Sequence, residues 1–143
     1  MSKTIMQHKN LFQFTQDIYH RLSKEDQLKV SPSGRFIDSP NLISRIIDFS
    51  PHHQATGFAE AYKFNGTSNN VAFIVIAILP EWRGQNIGTS LLEQIENDIF
   101  NKGYNRLMYR TSINNKASIG LAKKNNYKQL NKSKNFITFI KDK

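Results

Sequence analysis

Near the start of the chain, the pattern of apolar and polar residues is helical. Residues 11–22 carry an apolar side chain at every third or fourth position, which predicts a helix with one buried stripe: Leu11, Phe14, Ile18 and Leu22. Ser23, followed three residues later by Asp26, is typical of a helix start. It predicts a short second helix through about Val30, which a turn at 31–34 ends.

Three short apolar segments follow, and we interpret them as an antiparallel meander. Residues 42–49 fit a helix or a strand equally well by their own pattern. Residues 55–63 alternate like a strand, and the alternation puts Phe58, Glu60 and Tyr62 on one face and Ala59, Ala61 and Phe64 near the other. A hairpin is therefore the better prediction for 42–63. After a second turn at 65–70, the most apolar run of the chain, 71–79, provides the third strand.

In the second half of the chain, segments with helical spacing alternate with segments typical of strands. Residues 87–99 have helical spacing, and Gly103 ends that helix. Residues 106–111 predict a strand, 115–125 a helix, and 134–141 a final strand. The order is two helices, three strands, helix, strand, helix, and one or two strands, which predicts a domain of the α/β (α+β) class.

Length, charge and composition narrow the classes of function. A chain of 143 residues fits one domain, so we expect residues 1–143 to form a single unit, within which 1–10 are open to being flexible. The net charge of +9 attracts phosphates of any origin. The absence of cysteine excludes disulfides, thiolate metal sites and a cysteine nucleophile. No zinc-ligand spacing links the four histidines, so we expect no metal.

Neither a signal peptide nor a membrane span is predicted. The first twenty residues lack an apolar segment of signal-peptide length. The run at 71–79 is far shorter than the roughly 20 residues that cross a bilayer. We therefore expect a cytoplasmic protein without a membrane partner.

The loop after the third strand is a candidate anion site. Gly84, Asn86 and Gly88 lie where the strand leads directly into a helix, so N–H groups and the positive end of the helix dipole point at whatever lies in front. Glycine permits close approach, and asparagine tolerates a left-handed backbone. The two best-known phosphate loops, G-x-x-x-x-G-K-[ST] and G-x-G-x-x-G, are absent. From this loop alone, an ordinary strand-to-helix turn that binds no ligand is an equally good interpretation.

The surrounding residues resemble a known motif. The segment VAFIVIAILPEWRGQNIGTSLLEQI, beginning at Val71, resembles the acetyl-CoA-binding motif of the GCN5-related N-acetyltransferase (GNAT) superfamily. That motif is a strand, often Pro-Glu-aromatic, then R/Q-x-x-G-x-G/A and an amphipathic helix. Here it is Pro80-Glu81-Trp82 followed by Arg83 to Gly88, with Asn86 in place of the first motif glycine.

A second block, NNKASIGLAKKNNYK at 114–128, is similar to the other signature of the superfamily. In that signature an asparagine precedes a helix that ends in Gly-Phe. Asn115, Ser118, Asn126 and Tyr127 occupy the corresponding positions, and Asn126 replaces the glycine with the next best left-handed residue. The resemblance extends from residue 11 onward. It implies a mixed central sheet of about six to seven strands flanked by four helices.

The resemblance implies transfer of an acetyl group from acetyl-CoA to a primary amine, by direct attack and without metal. N–H groups of the loop would bind the pyrophosphate of CoA, from Arg83, Gly84, Gln85, Asn86, Ile87, Gly88 and Thr89. Backbone at Ile76, Ala77 and Ile78 would pair with the pantetheine arm and polarise the thioester carbonyl. Asn115 and Ser118 would contact the cofactor from the other side.

The catalytic residues are less clear from the sequence. Glu60 is the first candidate for the base that takes the amine proton, ahead of Asp48, while Glu81 belongs to the loop pattern. Superfamily members often protonate the leaving thiolate with a tyrosine seven residues after the motif asparagine, where this chain has Ala122. Either Ser118 or Tyr127 replaces it, with Ser118 favoured, or the thiolate leaves without an acid.

The acceptor and the partners stay open. An alanine at position 122 makes the pattern look more like the branch that acetylates N-termini of ribosomal proteins, so the acceptor is a small-molecule amine or a peptide N-terminus. A homodimer is compatible with the sequence, and nucleic acid is not the expected partner. The alternative is a non-catalytic module on the same fold, which binds CoA or uses its basic surface to hold a protein or a nucleic acid.

Overall fold

The computed structural model describes residues 11–31, 38–63 and 70–143, and everything below concerns these ranges. The helices are α1 (Leu11–Arg21), α2 (Lys24–Val30), α3 (Ile87–Asn101) and α4 (Lys116–Lys124). The strands are β1 (Leu42–Phe49), β2 (Ala55–Lys63), β3 (Val71–Ile78), β4 (Arg106–Ser112), β5 (Lys128–Lys132) and β6 (Phe136–Asp142). The expectations for 1–10, for Phe64 and for most of the two turns at 31–34 and 65–70 lie outside the described residues.

The strands form one mixed sheet in the order β1-β2-β3-β4-β6-β5. β1, β2 and β3 pair antiparallel, which confirms the predicted meander and resolves residues 42–49 as a strand. β3 and β4 pair parallel. The predicted class is confirmed, with six strands and four α-helices in the described part of the chain.

The end of the chain differs from the simplest prediction. The last strand begins at Phe136 rather than at residue 134, and β5 precedes it as the edge of the sheet. All residues of β5 are exposed. A strand without a buried face has no apolar alternation, so the sequence pattern could not locate it.

A hydrophobic core lies on each face of the sheet. α3 packs Leu92, Ile95 and Ile99 against one face, where Ala59 and Ala61 of β2 also point. On the other face, Ile18 and Leu22 from the α1 region contact Phe58, Leu79 and their neighbours. The predicted alternation of β2 is therefore confirmed for its described residues. Of the elements that carry the two sequence motifs, β3 belongs to this sheet, and α3 and α4 pack on it.

β3 and β4 pair over only part of their length. Their last registered pair is Ile74 with Tyr109. Beyond that pair, β3 continues along β2 as far as Ile78, and β4 continues along β6 as far as Ser112. The two neighbouring strands therefore separate, and the sheet opens into a wedge between them.

Candidate functional site

A cavity of about 350 Å³ occupies this wedge and crosses from one face of the sheet to the other. Its walls come from α2, the end of β3, the loop before α3, Tyr109 of β4 and the first turns of α4. Except for Gln85, which is exposed in the loop, the structure brings every residue predicted to contact the cofactor to this cavity. These are Ile76, Ala77, Ile78, Arg83, Gly84, Asn86, Ile87, Gly88, Thr89, Asn115 and Ser118.

The loop before α3 presents bare backbone to the cavity. Gly84 has a φ of 81° and Asn86 a φ of 62°, so the predicted left-handed conformation of Asn86 is confirmed. Asn86 does not cap the helix with its side chain. Ser90 is the first residue whose N–H reaches back, to the Asn86 carbonyl at 3.1 Å. The N–H groups of residues 87–89 therefore have no partner within the helix.

Gly88 allows three elements to close around this loop. A Cβ atom at this position would lie 3.2 Å from Cδ1 of Ile78 and 3.3 Å from Cδ2 of Leu121. Both distances are tighter than ordinary van der Waals contact, so a larger residue would have to displace the side chains of Ile78 and Leu121 by a few tenths of an ångström. Glycine here brings the free N–H groups against the end of β3.

The end of β3 turns main-chain groups into the wedge. The N–H of Leu79 donates to the carbonyl of Thr56 at 2.9 Å. Because hydrogen-bonded pairs alternate along an antiparallel ladder, the N–H and C=O groups of Ala77 also face β2, whereas those of Ile76 and Ile78 face the opposite way. β4 has already separated from β3 at this level. Main-chain groups of Ile76 and Ile78 therefore line the open side.

Arg83 ties α2 to the mouth of the cavity. Its Nε donates to the Ile78 carbonyl at 3.0 Å, and its Nη2 donates to Oδ2 of Asp26 at 3.0 Å. Burial by itself would raise the pKa of Asp26, but hydrogen bonds and charge from Arg83 and Lys29 outweigh it and hold that pKa below the usual 3.8. The carboxylate is thus ionised at neutral pH, and it links the second helix to the loop.

We expect Asp26→Asn to lower the melting temperature modestly at neutral pH, because an ion pair this exposed contributes at most about 1 kcal/mol. The lowered pKa means that the contribution is present above the ordinary value of 3.8 and is lost as pH falls through the lower folded-state value. Thermal melts of both proteins from pH 7 to pH 2.5 check this. A melting-temperature difference that stays constant down to the lowest pH would contradict it.

A pair of hydroxyl groups lies on the α4 side of the cavity. Asn115 caps α4, and its Oδ1 accepts the N–H of Ser118 at 3.2 Å. Ser118 Oγ lies 2.5 Å from the hydroxyl oxygen of Tyr109. Tyr109 was missed by the sequence analysis, because it stands in an ordinary strand pattern outside both motifs. Only the fold places its hydroxyl beside Ser118.

The cavity carries positive charge. Lys29, Arg83 and Lys124 line it, together with the single carboxylate of Asp26. Lys124 donates to Oδ1 of Asn86 at 3.2 Å, so its ammonium lies directly at the loop. The sequence did not predict Lys29 and Lys124 as site residues, because lysines on a helix are usually exposed to solvent. Cations beside free N–H groups at a helix start favour a phosphate-bearing ligand.

Two predicted catalytic residues lie outside the cavity. Glu60 is fully buried on the face covered by α1, where Oε2 lies 2.6 Å from Nε of Arg45 and Oε1 accepts the hydroxyl of Tyr62. Burial raises the pKa of Glu60, although the hydrogen bonds from Tyr62 and Arg45 act in the opposite direction. Tyr127 donates to Oε2 of Glu96 at 2.8 Å, and burial is the main cause of its raised pKa.

The other carboxylate candidates are also held by neighbours. Asp48, the second choice as base, accepts the hydroxyl of Thr56. Glu81 lies 3.5 Å from Arg21 at the surface. Of the predicted catalytic residues, the structure brings Ser118 alone to the cavity wall.

No helix in the described ranges combines the length and the apolar character needed to cross a bilayer. Across the same ranges, no cluster of three histidine, aspartate or glutamate side chains is arranged to hold a metal ion.

Comparisons with known proteins agree with this geometry. A family model described as "Acetyltransferase (GNAT) family" matches residues 11–127. No curated protein matches the sequence.

Solved structures match the fold at low identity. An N-acetyltransferase from Staphylococcus aureus Mu50 has a TM-score of 0.60 at 22% identity, over 65% of this chain and 64% of that chain. The ribosomal-protein-S18-alanine N-acetyltransferase from Escherichia coli has a TM-score of 0.61 at 16% identity, over 73% and 71% of the two chains. The GNAT domain of S. lividans PAT has a TM-score of 0.75 at 13% identity, over 92% and 84%. The match to the first of these spans less than two thirds of that protein's length.

Proposed function

The chain belongs to the GNAT family of acetyltransferases, and we propose that it transfers the acetyl group of acetyl-CoA to a primary amine by direct attack of the amine nitrogen. One observation carries the proposal: a single cavity joins the free N–H groups of residues 87–89 to the open main chain of β3 and to the hydroxyl pair on α4. Residues of both sequence motifs meet there.

The donor fits the cavity by charge and by hydrogen bonding. The N–H groups of residues 87–89 bind the pyrophosphate at the positive end of α3, with Lys124 adding a cation beside the loop. Main-chain groups of Ile76 and Ile78 hold the extended arm and polarise the thioester carbonyl. Acetyl-CoA supplies the activated acetyl group, and the protein supplies position and hydrogen bonds.

The amine approaches from the α2 end of the cavity. Leu22, Val30, Ala77 and Trp82 line that end and provide an apolar wall. The proposed acceptor is a small-molecule amine or a peptide N-terminus. An amine with a pKa near 10 is protonated at neutral pH, so one proton must leave before attack. That proton goes to water in the open cavity, because Glu60 is fully buried, outside the cavity and held by Arg45 and Tyr62.

The cavity residues named above all belong to one chain, and a homodimer stays compatible with the proposed function. We keep the cytoplasm as the proposed compartment, because the reaction consumes acetyl-CoA.

The experiment that tests the function begins with calorimetric titration of acetyl-CoA and a thermal-shift scan of the same protein. A ligand that binds only the folded state must raise the melting temperature. Acetylation of a panel of amines and peptide N-termini is then followed by release of free CoA thiol. Binding together with turnover supports the proposal.

The alternative function gives a different result in the same assays. Binding of acetyl-CoA without acetylation of any amine or peptide would favour a non-catalytic CoA-binding module. A basic module would instead bind nucleic acid with a steep salt dependence and release it when CoA is added. Failure to bind acetyl-CoA at all contradicts the proposed function directly.

A further inference from the structure

The hydroxyl pair of Tyr109 and Ser118 lies where the two strands part. Tyr109 belongs to the last registered pair between β3 and β4, so it marks the narrow end of the wedge. Ser118 lies in the first turn of α4, where its N–H donates to Oδ1 of the capping residue Asn115. Both side chains line the cavity, and their oxygens are 2.5 Å apart. The pair is thus fixed from two separate elements.

The pair has one more proton than its own hydrogen bond uses. Two hydroxyl groups carry two protons, and the bond between them engages one. Among the described residues, no acceptor is found for the other. Burial raises the pKa of Tyr109, which outweighs the opposite effect of Ser118, so the phenol keeps its proton at neutral pH. A donor therefore faces the cavity.

Position 122 cannot supply such a donor. Ala122 is fully buried and has no hydroxyl. Ser118 stands four residues earlier, which is about 6 Å closer to the start of the helix at a rise of about 1.5 Å per residue. The hydroxyl of Tyr109 reaches Ser118 from β4. The hydroxyl group absent at position 122 is therefore present about one turn earlier along α4, in the pair.

We propose that Ser118 hydrogen-bonds the sulfur of the acetyl donor and protonates it as it leaves, and that Tyr109 supplies the replacement proton. The inference rests on the proposed function: it develops Ser118, which the sequence favours as the acid, and adds Tyr109 as the source of the replacement proton. Ser118 is the catalytic residue, because it touches the reacting atom. Tyr109 acts through Ser118.

The proton and electron balance closes. As the amine nitrogen bonds to the acetyl carbon, the carbon–sulfur bond breaks and its electron pair goes to sulfur. Ser118 gives its hydroxyl proton to sulfur and takes the proton of Tyr109. Tyr109 regains a proton from water when the products leave, and the amine has lost one N–H proton to water. The protein ends as it began.

The test compares the affinities of CoA and desulfo-CoA, which lacks the sulfur. A hydrogen bond to sulfur should make the unmodified protein prefer CoA by about 3- to 10-fold. Ser118→Ala should bring that ratio close to one, and Tyr109→Phe should lower it. Ser118→Thr keeps a hydroxyl and should keep the preference. Tyr104→Phe is the matched control, because Tyr104 packs at the edge of the α3 core and lies outside the cavity.

Turnover adds a second readout. Loss of a general acid lowers kcat by about 100-fold or more, so Ser118→Ala should show a large fall while its affinity for desulfo-CoA stays unchanged. If both variants keep the original ratio of affinities, the hydroxyl pair does not contact the sulfur and this inference is wrong, although the proposed function stands. If the unmodified protein binds neither ligand, the proposed function fails and the inference fails with it.

Discussion

Thr89→Glu should weaken acetyl-CoA binding by about 100-fold or more while leaving the melting temperature unchanged or slightly raised. Thr89 lines the cavity in the first turn of α3, beside the free N–H groups. Two like charges about 4 Å apart near a protein surface repel by about 4 kcal/mol, and screening by salt leaves enough for this loss. The same carboxylate interacts favourably with the helix dipole, by about 0.3–1 kcal/mol.

The two effects have opposite signs, and that separates a binding defect from a folding defect. Calorimetric titration gives the affinity, and a thermal melt without ligand gives the stability. Thr89→Gln is the matched control, because it adds a side chain of the same size without the charge. It should lose far less affinity than the glutamate variant. Equal affinity of the glutamate variant and the unmodified protein would place the pyrophosphate somewhere other than the start of α3.

Glu60→Gln should lower the free energy of unfolding by about 2–4 kcal/mol, because it removes one partner of a buried ion pair. The side chain of Glu60 is fully buried and that of Arg45 is 8% exposed. Without the carboxylate, the one acidic partner that the described residues leave to Arg45 is Asp38, whose side chain is 56% exposed. Asp38→Asn is the control and should lower stability by less than about 1 kcal/mol. Urea unfolding of the three proteins measures the difference.

The same substitution decides whether Glu60 also accepts the amine proton. With the carboxylate outside the cavity, we expect kcat per folded molecule to change by less than about threefold, far below the effect of losing a general base. The rate is measured at a temperature where both proteins are folded. A fall of about 100-fold with unchanged acetyl-CoA affinity would instead establish Glu60 as the base.

The sequence predicted the elements that have strong periodic signals. All four described helices appear where apolar spacing or a cap predicted them, and Ser23 accepts the N–H of Asp26 as that cap requires. Asn86 and Asn126 both have a positive φ, as expected of asparagine standing in for glycine. These features depend on residues that are close together in the sequence, so they can be predicted from the sequence alone.

The cavity depends on contacts that cross the fold, and these the sequence could not indicate. Tyr109 meets Ser118 only because β4 lies beside the start of α4. Asp26 meets Arg83 across 57 residues of chain. Glu60 alternates correctly along β2, but nothing local shows that α1 covers its face and that Arg45 takes its charge. Residue type and strand position therefore suggested a base where the structure has a buried ion pair.

A binding site built from main-chain groups has a consequence for mutagenesis. In the proposed site, the groups of residues 87–89 and of Ile76 and Ile78 that would face the ligand are peptide N–H and C=O groups, which alanine leaves in place. Except at Gly84, Asn86 and Gly88, where a positive φ or close packing makes alanine itself disruptive, an alanine scan through the loop would therefore report little loss of affinity. Proline is the substitution that deletes an N–H group, and it is tolerated in the first turn of a helix. A proline scan there would reveal contacts that side-chain replacement cannot.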